Sequence, residues 1–271
     1  MTRVACQQLE PVLGDLEANR ALTRDAIREA AQAGADVVVL PELITCGYMF
    51  ESREEAAQVA ITTEHEILRE WAAEAAAADI VLVGGFCGIG DDGGIYNSAA
   101  VFDASGLRAV YRKLHLWDRE KLIFDAGREP PPVLDTRVGK VAPAICYDLE
   151  FPELTRALAL KGVQLLTVPT NWPLVPRPAA ERPPEVVIAM ATARVNRMAI
   201  ACADRLGVER GQAWTGGSTI VAVDGWPAAE TRDLGLIVAD IDLKAALDKR
   251  LTEHADAFAD RRPELYGLLG L

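Results

Sequence analysis

The sequence has few of the residues that build metal sites and disulfide frameworks. Only three histidines and five cysteines occur among the 271 residues, and the cysteines form no Cys-x-x-Cys pair. The histidines lie far apart and make no cluster with metal-ligand spacing. A disulfide-stapled domain and a zinc site are therefore disfavoured, and we expect neither a metal nor another cofactor. The cysteines are at positions 6, 46, 87, 146 and 202, and the histidines at 65, 115 and 254.

Positive charge and long apolar runs are also scarce. Lysine and arginine number 28 against 40 aspartates and glutamates, which gives a net charge of -12. An acidic protein is repelled by nucleic acid and anionic membrane surfaces, so small or neutral partners are favoured. No apolar run approaches the roughly 20 residues that cross a bilayer, and residues 1–5 show no signal-peptide pattern. We predict no nucleic-acid partner, no membrane association and a cytoplasmic location.

Half of the residues are hydrophobic, which is enough to bury a large core. No linker divides the chain, so we predict one domain over 1–271. Hairpin signals and β-α-β crossovers alternate along it, which indicates an α/β fold with mixed sheets. Strands are predicted at 4–9, 37–40, 80–86, 96–103, 108–112, 163–169 and 198–203, and helices at 16–33, 64–78, 152–161 and 185–196. We also predict that 218–223 pairs with 235–240.

Cys146 is the most informative single residue. It ends the apolar run 141–145 and is followed at once by Tyr147, Asp148 and a helix-opening Phe-Pro-Glu segment. A thiol at such a strand-to-helix turn is exposed at the strand end, where free backbone N–H groups face any anion that forms. An acyl-transfer nucleophile needs this geometry. The alternative is a small buried hydrophobe, which is how most free cysteines behave.

Two ionisable residues follow other predicted strands. Glu42 comes directly after 37–40, at the strand end where open α/β sheets place their sites, and is a candidate general base. Lys113 lies in the apolar and aromatic stretch 111–117, where a desolvated ammonium would stabilise an oxyanion or donate a proton. Each residue alone also fits an ordinary turn acid or surface charge. His115 is an alternative base, or else a packing residue.

The pKa values of a thiol and a carboxylate explain why these residue types suit nucleophilic catalysis. A free thiol has a pKa of about 8.5 and is mostly protonated at neutral pH, and a nearby lysine or helix N-terminus would increase the thiolate fraction. A carboxylate in an apolar pocket has its pKa pushed towards neutrality, as a general base requires.

Three segments resemble, in this order, motifs of the carbon-nitrogen hydrolase or nitrilase superfamily. They are Leu-Pro-Glu-Leu at 40–43, Tyr-Arg-Lys-Leu-His at 111–115, and Ile-Cys-Tyr-Asp-Leu-Glu-Phe-Pro-Glu at 145–153. Further matches at 214–220 and 262–266 extend the resemblance over nearly the whole chain. It implies a four-layer αββα sandwich with mixed β-sheets. It also implies a homodimer or higher homo-oligomer formed by packing helices, with the tail from about residue 243 at the interface.

The resemblance also implies roles for individual residues. Glu42 would be the general base, Lys113 the oxyanion stabiliser and Cys146 the nucleophile of a thioester mechanism. The backbone N–H of Tyr147 would assist Lys113 at the oxyanion.

A second glutamate accompanies these residues in the family. The spacing E-x-x-x-F-x-x-G favours Glu120, with Phe124 and Gly127, over the nearby Glu129. One segment departs from the family pattern R-A-x-E-N, because Thr192 and Val195 stand where arginine and glutamate are expected.

The Cys-Tyr-Asp context resembles the amidase, carbamoylase and ω-amidase branches, whereas nitrilases usually show Cys-Trp-Glu and longer chains. We therefore predict an amidase that hydrolyses small primary amides and releases ammonia and a carboxylic acid. The alternatives are an N-carbamoyl amino acid or amine amidohydrolase, an ω-amidase, a nitrilase or a non-catalytic binding subunit.

The substrate pocket is predicted from aromatic and amide residues near these motifs. The candidates are Tyr48, Trp117, Tyr147, Asn171 and Trp172, although each aromatic alone also fits an ordinary core position. A substrate carboxylate would need a cation. Arg177 or Arg182 would serve, yet both lie in a proline-rich loop where a solvated charge is the simpler interpretation.

Overall fold

Two six-stranded sheets organise the computed structural model, which describes residues 1–178 and 180–266. The strands of the first sheet are β1 (Thr2–Gln8), β2 (Val37–Val39), β3 (Val81–Ile89), β4 (Ile95–Asp103), β5 (Gly106–Arg112) and β14 (Gly235–Ile241). Their order is β14-β1-β2-β3-β4-β5. β1, β2 and β3 run parallel and the other neighbours antiparallel, so the sheet is mixed.

The second sheet is mixed in the same way. Its strands are β6 (Leu134–Thr136), β7 (Gly139–Pro143), β8 (Leu165–Pro169), β9 (Ala199–Ala203), β12 (Thr219–Val221) and β13 (Pro227–Glu230). Their order is β13-β12-β9-β8-β7-β6, with β7, β8 and β9 parallel. Two short ribbons complete the strands: β10 (Val208–Glu209) with β11 (Gln212–Ala213), and β15 (Arg250–Thr252) with β16 (Ala255–Asp256).

The helices begin and end at residues suited to those positions. α1 follows Asp15, whose carboxylate accepts a hydrogen bond from the Ala18 N–H at 2.9 Å, and it stops before Gly34 at φ 75°. The α-helices are α1 (Leu16–Gln32), α2 (Arg53–Val59), α3 (Glu66–Ala78), α4 (Glu120–Ile123), α5 (Pro152–Leu160), α6 (Pro184–Asn196) and α7 (Pro263–Tyr266). 3₁₀ turns cover Cys146–Glu150 and Leu243–Leu247.

Strand alternation produces the layers. In β1, Val4 and Cys6 enter the core shared with the second sheet, whereas Ala5 between them packs with Ile27 of α1 and Trp71 of α3. Helices α1 and α3 therefore cover the outer face of the first sheet. Helices α5 and α6 pack against the second sheet. The predicted four-layer αββα sandwich with mixed sheets is confirmed.

One predicted strand pairing is wrong. We predicted that 218–223 pairs with 235–240, but β12 lies between β9 and β13, and β14 pairs with β1 in the other sheet. The true hairpin partner, β13, begins with Pro227, a residue that signals a turn in sequence but is tolerated on an edge strand. The pattern also missed β6, β13 and α2.

The segment after residue 243 forms a 3₁₀ turn, the β15–β16 ribbon and α7. Its place at a dimer interface stays a prediction, as does the single domain over 1–271, and residues 267–271 of this tail lie outside the described residues. Across 1–178 and 180–266, no helix combines the length and the apolar character needed to cross a membrane.

Candidate active site

Glu42 lies in the turn that follows β2, and it is completely buried. Gly85 of β3 allows this turn to pack onto the sheet, because a Cβ at that position would lie 2.5 Å from the Glu42 Cα. A glycine inside a strand permits such a close approach of another backbone. Leu43 has a left-handed backbone with φ 47°, and Asn171 Nδ2 donates to the Glu42 carbonyl at 2.9 Å. The turn is thus held from both sheets.

Lys113 lies between two carboxylates in the protein interior. Its Nζ donates to Glu42 Oε1 at 2.7 Å and to Glu120 Oε1 at 2.8 Å, and all three side chains are buried. Burial alone would lower the pKa of Lys113, but Glu120 and Glu42 outweigh it and raise that pKa. The ammonium therefore keeps its charge. Two of its three N–H donors are occupied, which leaves one for a ligand.

One oxygen of Glu42 is left without a partner. Oε1 accepts from both Lys113 and Asn97 Nδ2, whereas Oε2 is buried and has no hydrogen-bond partner among the described residues. Burial raises the pKa of Glu42, Lys113 lowers it, Glu120 raises it, and the result is about 7. An unpaired, buried carboxylate oxygen with a near-neutral pKa has the properties of a general base.

Cys146 opens the 3₁₀ turn that follows β7, and its backbone is left-handed at φ 47°. Such a conformation costs a non-glycine residue about 1–3 kcal/mol and persists where the surrounding structure enforces it. Its Sγ lies 4.0 Å from the carbonyl oxygen of Asn171, whose side chain holds the Glu42 turn. We call Glu42, Lys113, Glu120 and Cys146 the buried cluster.

The predicted exposure of Cys146 is wrong. The thiol is not exposed at the strand end, since the residue is only 7% accessible. Its thiolate is not favoured either: burial raises the pKa of Cys146 well above its ordinary value, Glu42 raises it further, and Lys113 only partly offsets both. The resting residue is therefore a thiol, and its nucleophilic form needs a base to remove the proton.

His115 lies beside this cluster but faces another partner. Its Nδ1 is 2.7 Å from Asp148 Oδ1, and its ring stacks on Phe151 with 3.6 Å between centroids. The fully buried Asp148 also accepts from the Tyr111 hydroxyl and the Ile145 N–H. This network ties the turn that carries Cys146 to the end of β5, so the geometry favours packing over a role for His115 as base.

A small cavity of about 100 Å³ adjoins the buried cluster. Drug-sized ligands usually occupy about 300–1,000 Å³, so this space holds a group of only a few heavy atoms. Glu120 and Asn171 belong both to its wall and to the contacts of the buried cluster. Most of the remaining wall is apolar or aromatic, including Tyr48, Phe50, Trp117, Phe124, Pro173 and Trp214.

The predicted pocket residues divide into two groups. Tyr48, Trp117 and Asn171 line the cavity, whereas Tyr147 and Trp172 do not. Tyr147 packs its ring edge against Trp117 at 4.8 Å. Tyr147 therefore supports the wall from behind. Trp172 is buried, and its backbone N–H, between the wall residues Asn171 and Pro173, donates to Asp204 Oδ1 at 3.0 Å.

The predicted cations lie elsewhere. Arg182 pairs with Glu230 on the surface, and Arg177 belongs to an exposed loop with residues 174–176. The arginine among the residues that line the cavity is the exposed Arg119, which precedes Glu120 and was not among the predicted site residues.

Two buried residues beside the site, Asn97 and Trp214, were not among the predicted site residues, although Trp214 opens the family-like segment 214–220. Asn97 of β4 is fully buried and donates to Glu42 Oε1 at 2.7 Å and Glu120 Oε1 at 3.2 Å. A buried amide in an otherwise apolar strand was the available signal. Trp214 packs edge-on against Tyr48 at 5.2 Å, a long-range contact that no local pattern announces. Glu129, the rival of Glu120, is exposed.

A second, larger depression lies away from the buried cluster. A larger groove of about 560 Å³ lies at the end of β3, β4 and β5, and the buried cluster is not part of its lining. Within 1–178 and 180–266, no group of three or more His, Cys, Asp and Glu side chains is arranged to hold a metal.

Residues 3–249 match the carbon-nitrogen hydrolase family. A nitrilase of Pyrococcus abyssi (strain GE5 / Orsay) is 35% identical over 274 residues, covering 98% of this chain and 99% of that protein. An omega-amidase of Homo sapiens is 32% identical over 254 residues, covering 89% of this chain and 88% of that protein.

The fold is similar to that of an amidase from Nesterenkonia sp., with a TM-score of 0.80 and 30% identity over 99% of this chain and 96% of that one. A mutant of the Nesterenkonia sp. AN1 amidase has been solved in complex with butyramide. Another mutant of it carries the acetamide moiety of fluoroacetamide at its active-site cysteine.

The αββα fold and these relatives together define the class of the protein, an amidase-like hydrolase that acts on C–N bonds. The chain belongs to the carbon-nitrogen hydrolase family, in the nitrilase superfamily.

Proposed function

We propose that this protein is an amidase that hydrolyses small, uncharged primary amides through a thioester on Cys146. The observation that carries the proposal is the unpaired Oε2 of Glu42, a buried carboxylate oxygen with a pKa of about 7 in the same buried cluster as a protonated thiol. A base near neutrality is what such a thiol needs for activation.

The first half of the reaction forms the thioester. Glu42 Oε2 takes the proton of the Cys146 thiol, and Sγ attacks the amide carbonyl carbon to give a tetrahedral oxyanion. The remaining N–H donor of Lys113 and the backbone N–H of Tyr147 stabilise that oxyanion. Glu42 then returns its proton to the amide nitrogen, the C–N bond breaks, and ammonia leaves.

The second half restores the enzyme. Glu42 removes a proton from water, and the resulting hydroxide attacks the thioester carbonyl carbon. The C–S bond breaks, the carboxylic acid leaves, and the proton held by Glu42 returns to Sγ. Glu120 acts on this cycle through Lys113: its carboxylate holds the ammonium in place and raises the pKa that keeps it charged.

Substrate size and charge follow from the cavity. A space of about 100 Å³ with apolar and aromatic walls favours a short, neutral acyl group. The butyramide complex of the Nesterenkonia amidase supports this choice, since that ligand is a short aliphatic amide.

Comparison of four substrates tests this preference. We expect kcat/KM for propionamide to exceed the values for an N-carbamoyl amino acid and a dicarboxylate monoamide, because a carboxylate would lose solvation against an apolar wall. The matching nitrile should react slowly or not at all. Ammonia release measures all four, and a preference for either carboxylate-bearing compound contradicts the neutral-amide assignment.

Arg119 favours one second candidate, an ω-amidase. Arg119 is one of the residues that line the cavity, and its guanidinium would pair with the distal carboxylate of a dicarboxylate monoamide. The similarity to an omega-amidase supports this alternative. If the monoamide is the better substrate and Arg119→Ala raises its KM while leaving that of propionamide unchanged, the ω-amidase assignment replaces the first.

Lys113→Ala is expected to lower kcat at least about a hundredfold, since it removes an oxyanion donor. Its loss also leaves Glu42 facing Glu120 without a counter-charge. His115→Ala should lower kcat much less, because that ring is engaged with Asp148 and Phe151. Lys121→Ala, an exposed lysine of α4, is the matched control. Equal losses for Lys113→Ala and His115→Ala would show that the base is misassigned.

A further inference from the structure

Two adjacent backbone N–H groups in the cavity wall bind one buried carboxylate. The N–H groups of Tyr48 and Met49 donate to Glu209 Oε2 at 2.9 and 3.0 Å. Tyr48 and Met49 both line the cavity, whereas Glu209 lies behind them and is only 5% accessible. Gly47 makes this approach possible, since a Cβ there would lie 2.7 Å from Glu209 Oε1. The carboxylate therefore fixes the path of the wall without touching the cavity.

The other oxygen of Glu209 pairs with an arginine that supports a second part of the same wall. Glu209 Oε1 accepts from Arg205 Nη1, and Arg205 is completely buried. The Arg205 guanidinium carbon lies 4.9 Å from the ring centroid of Trp214, a cation–π contact. Trp214 in turn packs edge-on against the Tyr48 ring at 5.2 Å. One ion pair thus holds both aromatic walls from behind.

We propose that Glu209 is a positioning residue that sets the acyl-chain specificity of the amidase by fixing the Tyr48–Trp214 wall. The inference rests on the proposed function. The physical reason is that the Glu209 carboxylate satisfies two buried N–H donors and one buried guanidinium together, so its removal leaves three unsatisfied donors behind the wall. The wall then relaxes, and the cavity loses its fixed width while the buried cluster keeps its own contacts.

Kinetics on a series of primary amides from acetamide to hexanamide test this role. In the wild type, kcat/KM should decline steeply beyond the chain length that fills the cavity. In Glu209→Gln, KM for the best amide should rise about tenfold. The kcat/KM of longer amides should increase relative to that of the best amide, since one methylene in a tight pocket changes kcat/KM about tenfold or more. The kcat for the best amide should stay within about threefold, because the reacting groups are untouched.

Three variants make the interpretation specific. Glu209→Gln keeps the side-chain volume and one acceptor, but turns its amide N–H₂ towards Arg205. Glu209→Ala removes both contacts and should broaden chain-length selectivity further. Glu230→Gln breaks the exposed Arg182–Glu230 pair, whose residues do not line the cavity, and should leave both selectivity and KM unchanged. Thermal unfolding of each variant reports stability independently of selectivity.

The outcomes separate positioning from mere stabilisation. A uniform loss of kcat/KM at every chain length, or unchanged selectivity in Glu209→Gln, overturns the proposal. If Glu209→Ala does not fold, Glu209→Gln alone decides. If the wild type hydrolyses no amide, the proposed function fails. Glu209 is then tested by the half-saturating iodoacetamide concentration for Cys146 alkylation, which must rise in Glu209→Gln for the proposal to stand.

Discussion

Cys146→Ala is expected to reduce amide turnover by four orders of magnitude or more, about the loss seen when a catalytic nucleophile is removed. The variant loses the atom that forms the thioester, whereas binding and the oxyanion donors persist. Folding should be little affected, because the change deletes one buried sulfur and leaves only a small cavity. Ammonia release and thermal unfolding measure the two effects separately.

Cys146→Ser should be almost as inactive, because a hydroxyl has a far higher pKa than a thiol and Glu42 is too weak a base for it. Cys6→Ala is the matched control, since Cys6 is buried in β1, in the core between the sheets. If Cys146→Ala turned over amides at a rate near that of Cys6→Ala, the thioester mechanism would be contradicted.

Glu42→Gln is expected to lower kcat/KM by about a thousandfold, within the range of about 10²–10⁴ assigned to a positioned base. The amide cannot take the thiol proton or activate water. In the wild type, activity should fall as the pH drops below about 7, because the pKa of Glu42 is about 7 and only its ionised form accepts a proton. The variant should lack this acid limb.

The pH profile of Glu42→Gln also tests whether another carboxylate, Asp204, causes the acid limb. Burial raises the pKa of Asp204 to about 7 as well, and that carboxylate accepts a hydrogen bond from the Trp172 backbone N–H, between the wall residues Asn171 and Pro173. An acid limb that persists in Glu42→Gln would therefore assign the titration to Asp204. Glu129→Gln changes an exposed glutamate and should leave both the rate and the profile unchanged.

Local patterns predict much of this fold because its strands obey a simple rule. Apolar runs such as 37–40 and 163–169 are buried on both faces, and α1 begins after the Asp15 cap and stops before Gly34, so the type of these elements was predicted correctly. The β12–β14 pairing failed for a different reason. Because β12 and β14 are both apolar and close in sequence, they resemble a hairpin, but they belong to different sheets. The true partner of β12 is β13, which was not predicted because it begins with Pro227.

The site was predictable to the extent that its chemistry is local. Glu42, Lys113 and Cys146 each follow a strand, and the topology brings their ends together. Asn97 and Trp214 contribute through contacts across long sequence separations, which no spacing records. The effect of a nearby lysine on Cys146 was predicted in the right direction, but burial raises the pKa of the thiol more than Lys113 lowers it, and the sequence does not report burial quantitatively.

Alkylation by iodoacetamide, with peptide mapping and activity followed in the same samples, tests the central claim most directly. Iodoacetamide is itself a small amide, so it should enter the cavity and alkylate Cys146 faster than the other four free cysteines, all of which are buried. We predict that activity is lost in step with alkylation of Cys146 and that butyramide protects against both. Full alkylation of Cys146 with turnover retained would contradict the account.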